Sequence, residues 1–183
     1  EVLDDNETEG RETVIVTATT DSNHVNDQSA SATGIIKDDL VKREDGTKVD
    51  ADAPDLLVSG GDKAVEGEET WLNYEVSLSG DAFGDVAAKL DITGTASDAD
   101  LGRIQIKLPN GQWQNYDETD GFLVPDSGVV KVRVEVLDDN ETEGRETVIV
   151  TATTDSNHVN DQSASATGII KDDLVKREDG TKV

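Results

Sequence analysis

A chain of 183 residues with 41 acidic and 16 basic side chains carries a formal net charge of −25, and it contains no cysteine and no methionine. That balance leaves no basic stripe to replace the counterions of a nucleic acid and disfavours an anionic membrane surface, so DNA, RNA and lipid bilayers are not expected partners. Disulfides and thiolate metal sites are excluded, no apolar run approaches the ~20 residues of a membrane span, and aromatics at 3% leave Val, Ile, Leu and Ala to build the core.

The first feature in chain order is a repeat. Residues 1–49, Glu1 to Val49, recur letter for letter as residues 135–183, a period of 134 residues. Solenoid units run nearer 20–50 residues, so a period this long indicates whole domains in tandem, with identical repeats of the same chain as neighbours. Residues 1–39 are expected to supply the closing strands of a preceding repeat and 40–54 an inter-domain linker. Residues 55–173 would be a complete domain and 174–183 the start of the next linker. Three strands cannot bury their inner face alone. The first segment is therefore expected to borrow partners from another molecule or to be the visible edge of a longer chain.

From Leu56 onward, short segments with period-two alternation are bounded by Gly, Asp, Asn and Ser, and none sustains a helical period. Strands are predicted near 62–66, 70–79, 86–93, 101–107, 128–136, 146–154 and 163–171. Leu72, Tyr74, Val76 and Leu78 alternate with polar residues, as do Val130, Val132, Val134 and Val136; Val148, Val150 and Ala152 repeat the pattern. Seven such strands predict an all-β fold, an immunoglobulin-like antiparallel β-sandwich repeated in a tandem array. The stretch 108–127 is expected to add a hairpin or packed loop, with Trp113, Tyr116 and Phe122 as core plugs.

If consecutive strands alternate in direction, the turn after 62–66, the loop before 101–107, the loop before 146–154 and the end of 163–171 emerge at one pole. Acidic residues track that pole: Glu66, Glu68 and Glu69; Asp98 and Asp100; Asp138, Asp139, Glu141 and Glu143; and Asp172 and Asp173. Two carboxylates 4–5 Å apart repel by roughly 3–4 kcal/mol at an effective dielectric near 20, so such a cluster splays apart unless a cation reverses the sign. Calcium takes six to eight oxygens in flexible geometry and suits carboxylates and carbonyls such as that of Asn140; magnesium demands a tighter octahedron and zinc prefers His or Cys. Acids at the opposite end, such as Asp81, Asp117 and Asp55, form a weaker cluster. The bland alternative is a solvated acidic surface.

Four segments carry a family resemblance: VEG at Val65–Gly67, GTASDAD at Gly94–Asp100, VRVEVLDDNETEGRET at Val132–Thr147 and GIIKDD at Gly168–Asp173. Together they resemble the Calx-beta-like, immunoglobulin-like repeats of giant bacterial RTX adhesins, over nearly the whole period from about Asp55 to Asp173. The resemblance implies an extender domain that binds calcium at its ends and linkers, stiffens into a rod, and holds a ligand-binding tip away from the cell. It implies Glu66, Asp98, Asp100, Asp138, Asp139, Asp172 and Asp173 as calcium ligands, secretion to the bacterial cell surface, and a role in adhesion without chemistry of its own. Two departures stand out: the family's acidic triplet is Asp172-Asp173 followed by Leu174, and Leu101 replaces the usual tyrosine.

A second function class is direct adhesion, in which Trp113 and Tyr116 stack on a glycan or a partner surface. The enzyme class has little to rest on. His24 and His158 are one residue in two copies, with no nucleophile motif beside them, and paired carboxylates without an evident pocket do not make a glycosidase.

Overall fold

The computed structural model describes residues 2–3, 11–43, 46–67, 70–82, 86–125, 128–138 and 144–171. The chain divides into two compact units, Glu1–Asp52 and Ala53–Val183.

The first unit contains two hairpins. Strand β1 (Glu12–Thr19) pairs antiparallel with β2 (Ser29–Ile36), from Glu12 opposite Ile36 to Thr19 opposite Ser29. Strand β3 (Val41–Lys42) pairs with β4 (Lys48–Val49), inside the stretch expected to be linker.

Among the described residues the second unit holds ten strands: β5 (Leu56–Gly60), β6 (Lys63–Val65), β7 (Thr70–Leu78), β8 (Val86–Gly94), β9 (Leu101–Lys107), β10 (Trp113–Asn115), β11 (Phe122–Val124), β12 (Val129–Val136), β13 (Glu146–Thr153) and β14 (Ser163–Lys171). They form two five-stranded sheets, ordered β10-β9-β12-β7-β5 and β11-β8-β13-β14-β6. Every pairing is antiparallel except β14 with β6. The all-β expectation holds, and the described residues contain no helix.

The strand expected at 62–66 is β6 (Lys63–Val65), and a further strand, β5, precedes it; the two lie at the edges of different sheets. Gly60 and Gly61, with φ of 93° and 81°, occupy the left-handed region that lets the chain leave one sheet and enter the other. In the stretch 108–127, expected to add a hairpin or packed loop, β10 forms a hairpin with β9 and extends its sheet, while β11 extends the other sheet beside β8.

The alternation seen in the sequence becomes the core. Leu72, Tyr74 and Val76 of β7, Val130 to Val136 at every second position of β12, and Val148, Val150 and Ala152 of β13 are all buried. Leu56, Ala64, Val86, Ala88, Leu90, Phe122, Val124 and Ile170 close the same cluster from the remaining strands. Aliphatic side chains of similar size interdigitate between the sheets, so even one lost methylene is felt. Tyr74 is the largest fully buried side chain, and its hydroxyl donates to the Val148 carbonyl at 2.9 Å, tying the sheets together. Gly168 leaves room for it, since a Cβ there would meet the Tyr74 hydroxyl and the Leu72 methyls.

Burial pushes the Tyr74 phenol from its ordinary 10.0 up to about 12. A raised folded pKa means the native state holds the proton more tightly, so this contribution to stability is complete below pH ~10 and is lost as pH rises through 12. Tyr74→Phe should cost about 1–2 kcal/mol in urea unfolding at neutral pH. The gap between wild type and variant should then shrink between pH 10 and 12.

Candidate metal centre

Two segments that follow the period-two rule end on a carboxylate. Ala64 of β6 faces the core, and two residues on Glu66 faces the same way, only 6% exposed. Its backbone N–H donates to the Lys171 carbonyl at 3.0 Å, prolonging the parallel pairing of β6 with β14 by one rung. At the start of β13, Glu146 stands two residues before buried Val148 and shares its face of the strand.

Asp100 arrives by a different route, a tight turn held by its own side chain. The Ser97 N–H donates to Asp100 Oδ2 at 2.5 Å, the Asp100 N–H donates to the Ser97 carbonyl at 3.2 Å, and the Ala99 N–H donates to the Ser97 hydroxyl at 3.1 Å. The Leu137 N–H then donates to the Asp100 carbonyl at 2.8 Å. Just beyond, the register between β12 and β9 slips, with Val134 opposite Ile104 but Val136 opposite Leu101. Such a bulge bends a strand end and re-aims its side chains. Asp100, immediately before β9, is fully buried.

Glu66, Asp100 and Glu146 each present one carboxylate oxygen, all within 4.8 Å of one another. Asp100 Oδ1 is buried and accepts no hydrogen bond, while its twin Oδ2 serves the turn. Two ionised carboxylates at this distance repel by roughly 3 kcal/mol at an effective dielectric near 20, and three such pairs share the site. Oxygen ligands at 2.3–2.6 Å from a calcium ion lie up to about 5 Å apart, so the cluster's dimensions suit a hard cation. No histidine or cysteine joins the three acids, which disfavours zinc. The arrangement can hold a metal ion.

Of the seven expected ligands, the structure brings together Glu66 and Asp100. Asp98 and Asp138 are exposed and stand outside the group. Asp139, Asp172 and Asp173 lie outside the described residues. The third member, Glu146, went unchosen in the sequence although it sits inside the DDNETEGRET motif. Its parity with Val148, Val150 and Ala152 is the signal that marks it, because a carboxylate on the core face of a strand needs a partner.

The aromatics also settle into place. Phe122 is a core plug, with Tyr116 edge-on to it at 6.3 Å between ring centroids. The Tyr116 hydroxyl accepts from the Leu90 N–H at 2.8 Å. Trp113 is not a core residue: its ring lies 4.1 Å from the Arg133 guanidinium carbon and 5.8 Å from the Lys107 ammonium.

No family model and no curated protein matches the chain. Among solved structures it is similar to a chain from "AvmM Catalyzes Macrocyclization in Alchivemycin A Biosynthesis", at 11% identity and a TM-score of 0.39, covering 73% of this chain and 96% of that one. A likeness of that size carries no argument about activity. The chemistry of the pole therefore rests on its own three carboxylates, and they give opposite signs with and without a cation. Asp100→Asn should abolish most of any melting-temperature gain from a divalent cation, yet melt no lower than wild type in chelator, because it removes a buried charge. Asp98→Asn, at an exposed position, should leave both temperatures within about a degree, a surface-substitution effect.

Proposed function

We propose that this protein is a calcium-stabilised structural extender repeat of a secreted bacterial cell-surface adhesin, a spacer without catalytic activity that projects a distal ligand-binding region. The observation that carries the reading is the cluster of buried Glu66 and Asp100 with half-buried Glu146, in which Asp100 Oδ1 is buried and accepts no hydrogen bond. Three supports come from elsewhere in the chain. The sheet order resembles that of an immunoglobulin-like sandwich, in which a split first strand contributes to both sheets. The repeat of 49 identical residues suits an array whose job is length. The sequence segments that resemble Calx-beta-like repeats of RTX adhesins include all three acids.

In this reading calcium acts mechanically. Glu66 and Glu146 belong to one sheet, whereas Asp100 leads into β9 of the other. An ion held by all three would clamp the two sheets at one pole and cancel the repulsion that otherwise loosens it. Its binding free energy would then be folding free energy, since the unfolded chain has no such site. Neighbouring repeats of the same chain and calcium ions are the partners this implies.

Thermal unfolding of the full chain at fixed ionic strength tests the proposal. Calcium at 100 times its dissociation constant should stabilise by about 2.7 kcal/mol, magnesium should do far less, and chelator should give the lowest melting temperature. Coincident curves in the three conditions would reduce the carboxylates to a solvated surface and remove the proposal's foundation.

A further inference from the structure

The hairpin that joins β9 to β10 closes on a dipeptide found nowhere else in the chain. Asn110 is followed by Gly111, and no other asparagine precedes a glycine. The turn is tight: the Leu108 N–H donates to the Gln112 carbonyl at 2.8 Å, and the Gly111 N–H donates to the Leu108 carbonyl at 2.9 Å. Gly111, with φ of 85°, supplies the left-handed residue that a hairpin loop of this kind requires. Asn110 and Gly111 are both exposed, and a Cβ built on Gly111 would meet nothing within 4 Å.

The Asn110 side chain is folded back along its own main chain. Its Oδ1 accepts from the Gln112 N–H at 2.9 Å, and its Nδ2 lies 3.4 Å from Gln112 Oε1. Such an Asx turn brings the carboxamide alongside the main chain that follows it, which begins with the Gly111 nitrogen. A peptide nitrogen can attack the carboxamide carbon of the residue before it, and a side chain on the attacking residue hinders the approach; glycine has none. One bond opposes the attack, from the Gly111 N–H to the Leu108 carbonyl. It belongs to an exposed turn, and hydrogen bonds in such turns open at little cost.

We infer that Asn110 is a spontaneous deamidation site through which the β9–β10 hairpin is remodelled as the chain ages. The Gly111 nitrogen forms a bond to Asn110 Cγ, the carbon–nitrogen bond of the side-chain amide breaks, and the amide leaves as ammonia with the Gly111 proton. Water then opens the five-membered imide at either carbonyl. Opening at the side-chain carbonyl leaves aspartate, whose carboxylate can still accept from the Gln112 N–H. Opening at the main-chain carbonyl leaves isoaspartate, which routes the backbone through Cβ and Cγ and lengthens it by one carbon. Hairpin register is set by turn type and loop length, and a turn this tight does not absorb the extra carbon with both of its hydrogen bonds intact. The isoaspartate product therefore releases β10 from its pairing with β9, which runs from Trp113 opposite Lys107 to Asn115 opposite Gln105. Trp113, stacked 4.1 Å from the Arg133 guanidinium carbon, moves with it. The inference rests on the turn alone and stands apart from the cation reading.

Ageing the full chain in mildly alkaline buffer and mapping its peptides by mass spectrometry tests this. Asn110 should gain the mass of an amide-to-acid exchange before any other asparagine does, ammonia should appear in equal amount, and both aspartate and isoaspartate should be recovered at that position. The aged chain should lose hydrogen-exchange protection at the Leu108 and Gly111 amides. Asn110→Asp, which carries the added charge on a normal backbone, should keep that protection. The chain unfolded in urea supplies the reference rate: if it deamidates at Asn110 while the native chain does not, the turn shields the bond and the inference is overturned. Reaction first at another asparagine, aspartate without isoaspartate, or an aged chain with full protection at Leu108 and Gly111 overturns it as well.

Discussion

Crowding of like charge at one end of the sandwich is the constraint around which the second unit is arranged. Glu66, Asp100 and Glu146 lie within 4.8 Å, two of them buried, in a chain whose net charge is already −25. Self-repulsion on that scale opposes compaction, and a core in which valine is the commonest residue offers a modest counterweight. The repulsion acts across the two sheets, since Asp100 enters one and the glutamates belong to the other. A cation held by the three carboxylates would offset that repulsion.

The paired hairpins separate local from non-local causes. Identical sequences form identical antiparallel pairs in both units, so alternation and turn chemistry suffice for the hairpin and its register. Burial is another matter. Fully burying a valine side chain is worth about 1.5–3 kcal/mol, and only the copy flanked by β8 and faced by β5 and β7 realises it. A two-stranded hairpin by itself has no opposing layer to supply that term.

Arg103 of β9 and Arg133 of β12 lie on the same sheet of the second unit. Arg133 lies 4.0 Å from the Trp71 ring and 4.1 Å from that of Trp113, and Gln105 accepts two hydrogen bonds from its guanidinium at 3.0 and 2.7 Å. Arg103 grips Glu135 in a bidentate pair at 2.6 and 2.8 Å and adds its backbone N–H, which together hold the Glu135 carboxyl down at about 2. The positions where a tryptophan might have offered an open platform are thus occupied by the chain's own arginines.

Alternation of apolar and polar residues in 70–79, 128–136 and 146–154 was enough to locate those strands, because the pleat imposes a period of two wherever one face is buried. The same alternation places Glu66 and Glu146 on core faces, so two of the three clustered acids were legible once parity was followed through to the strand ends. The additional strand β5 ahead of Gly60 and Gly61 and the placement of β10 and β11 in different sheets were not, since a strand's sequence records that it pairs but not with which neighbour. Nor did acid counting distinguish buried Asp100 from exposed Asp98 two residues away; a turn closed by Ser97 and a bulge in β9 decide which carboxylate points inward. By itself the sequence determined the all-β class, the repeat and the excess of charge, because these depend on local pattern and composition. Only the tertiary structure decided which three carboxylates meet and which of two identical hairpins is buried, because both depend on residues far apart in the chain being brought to one place.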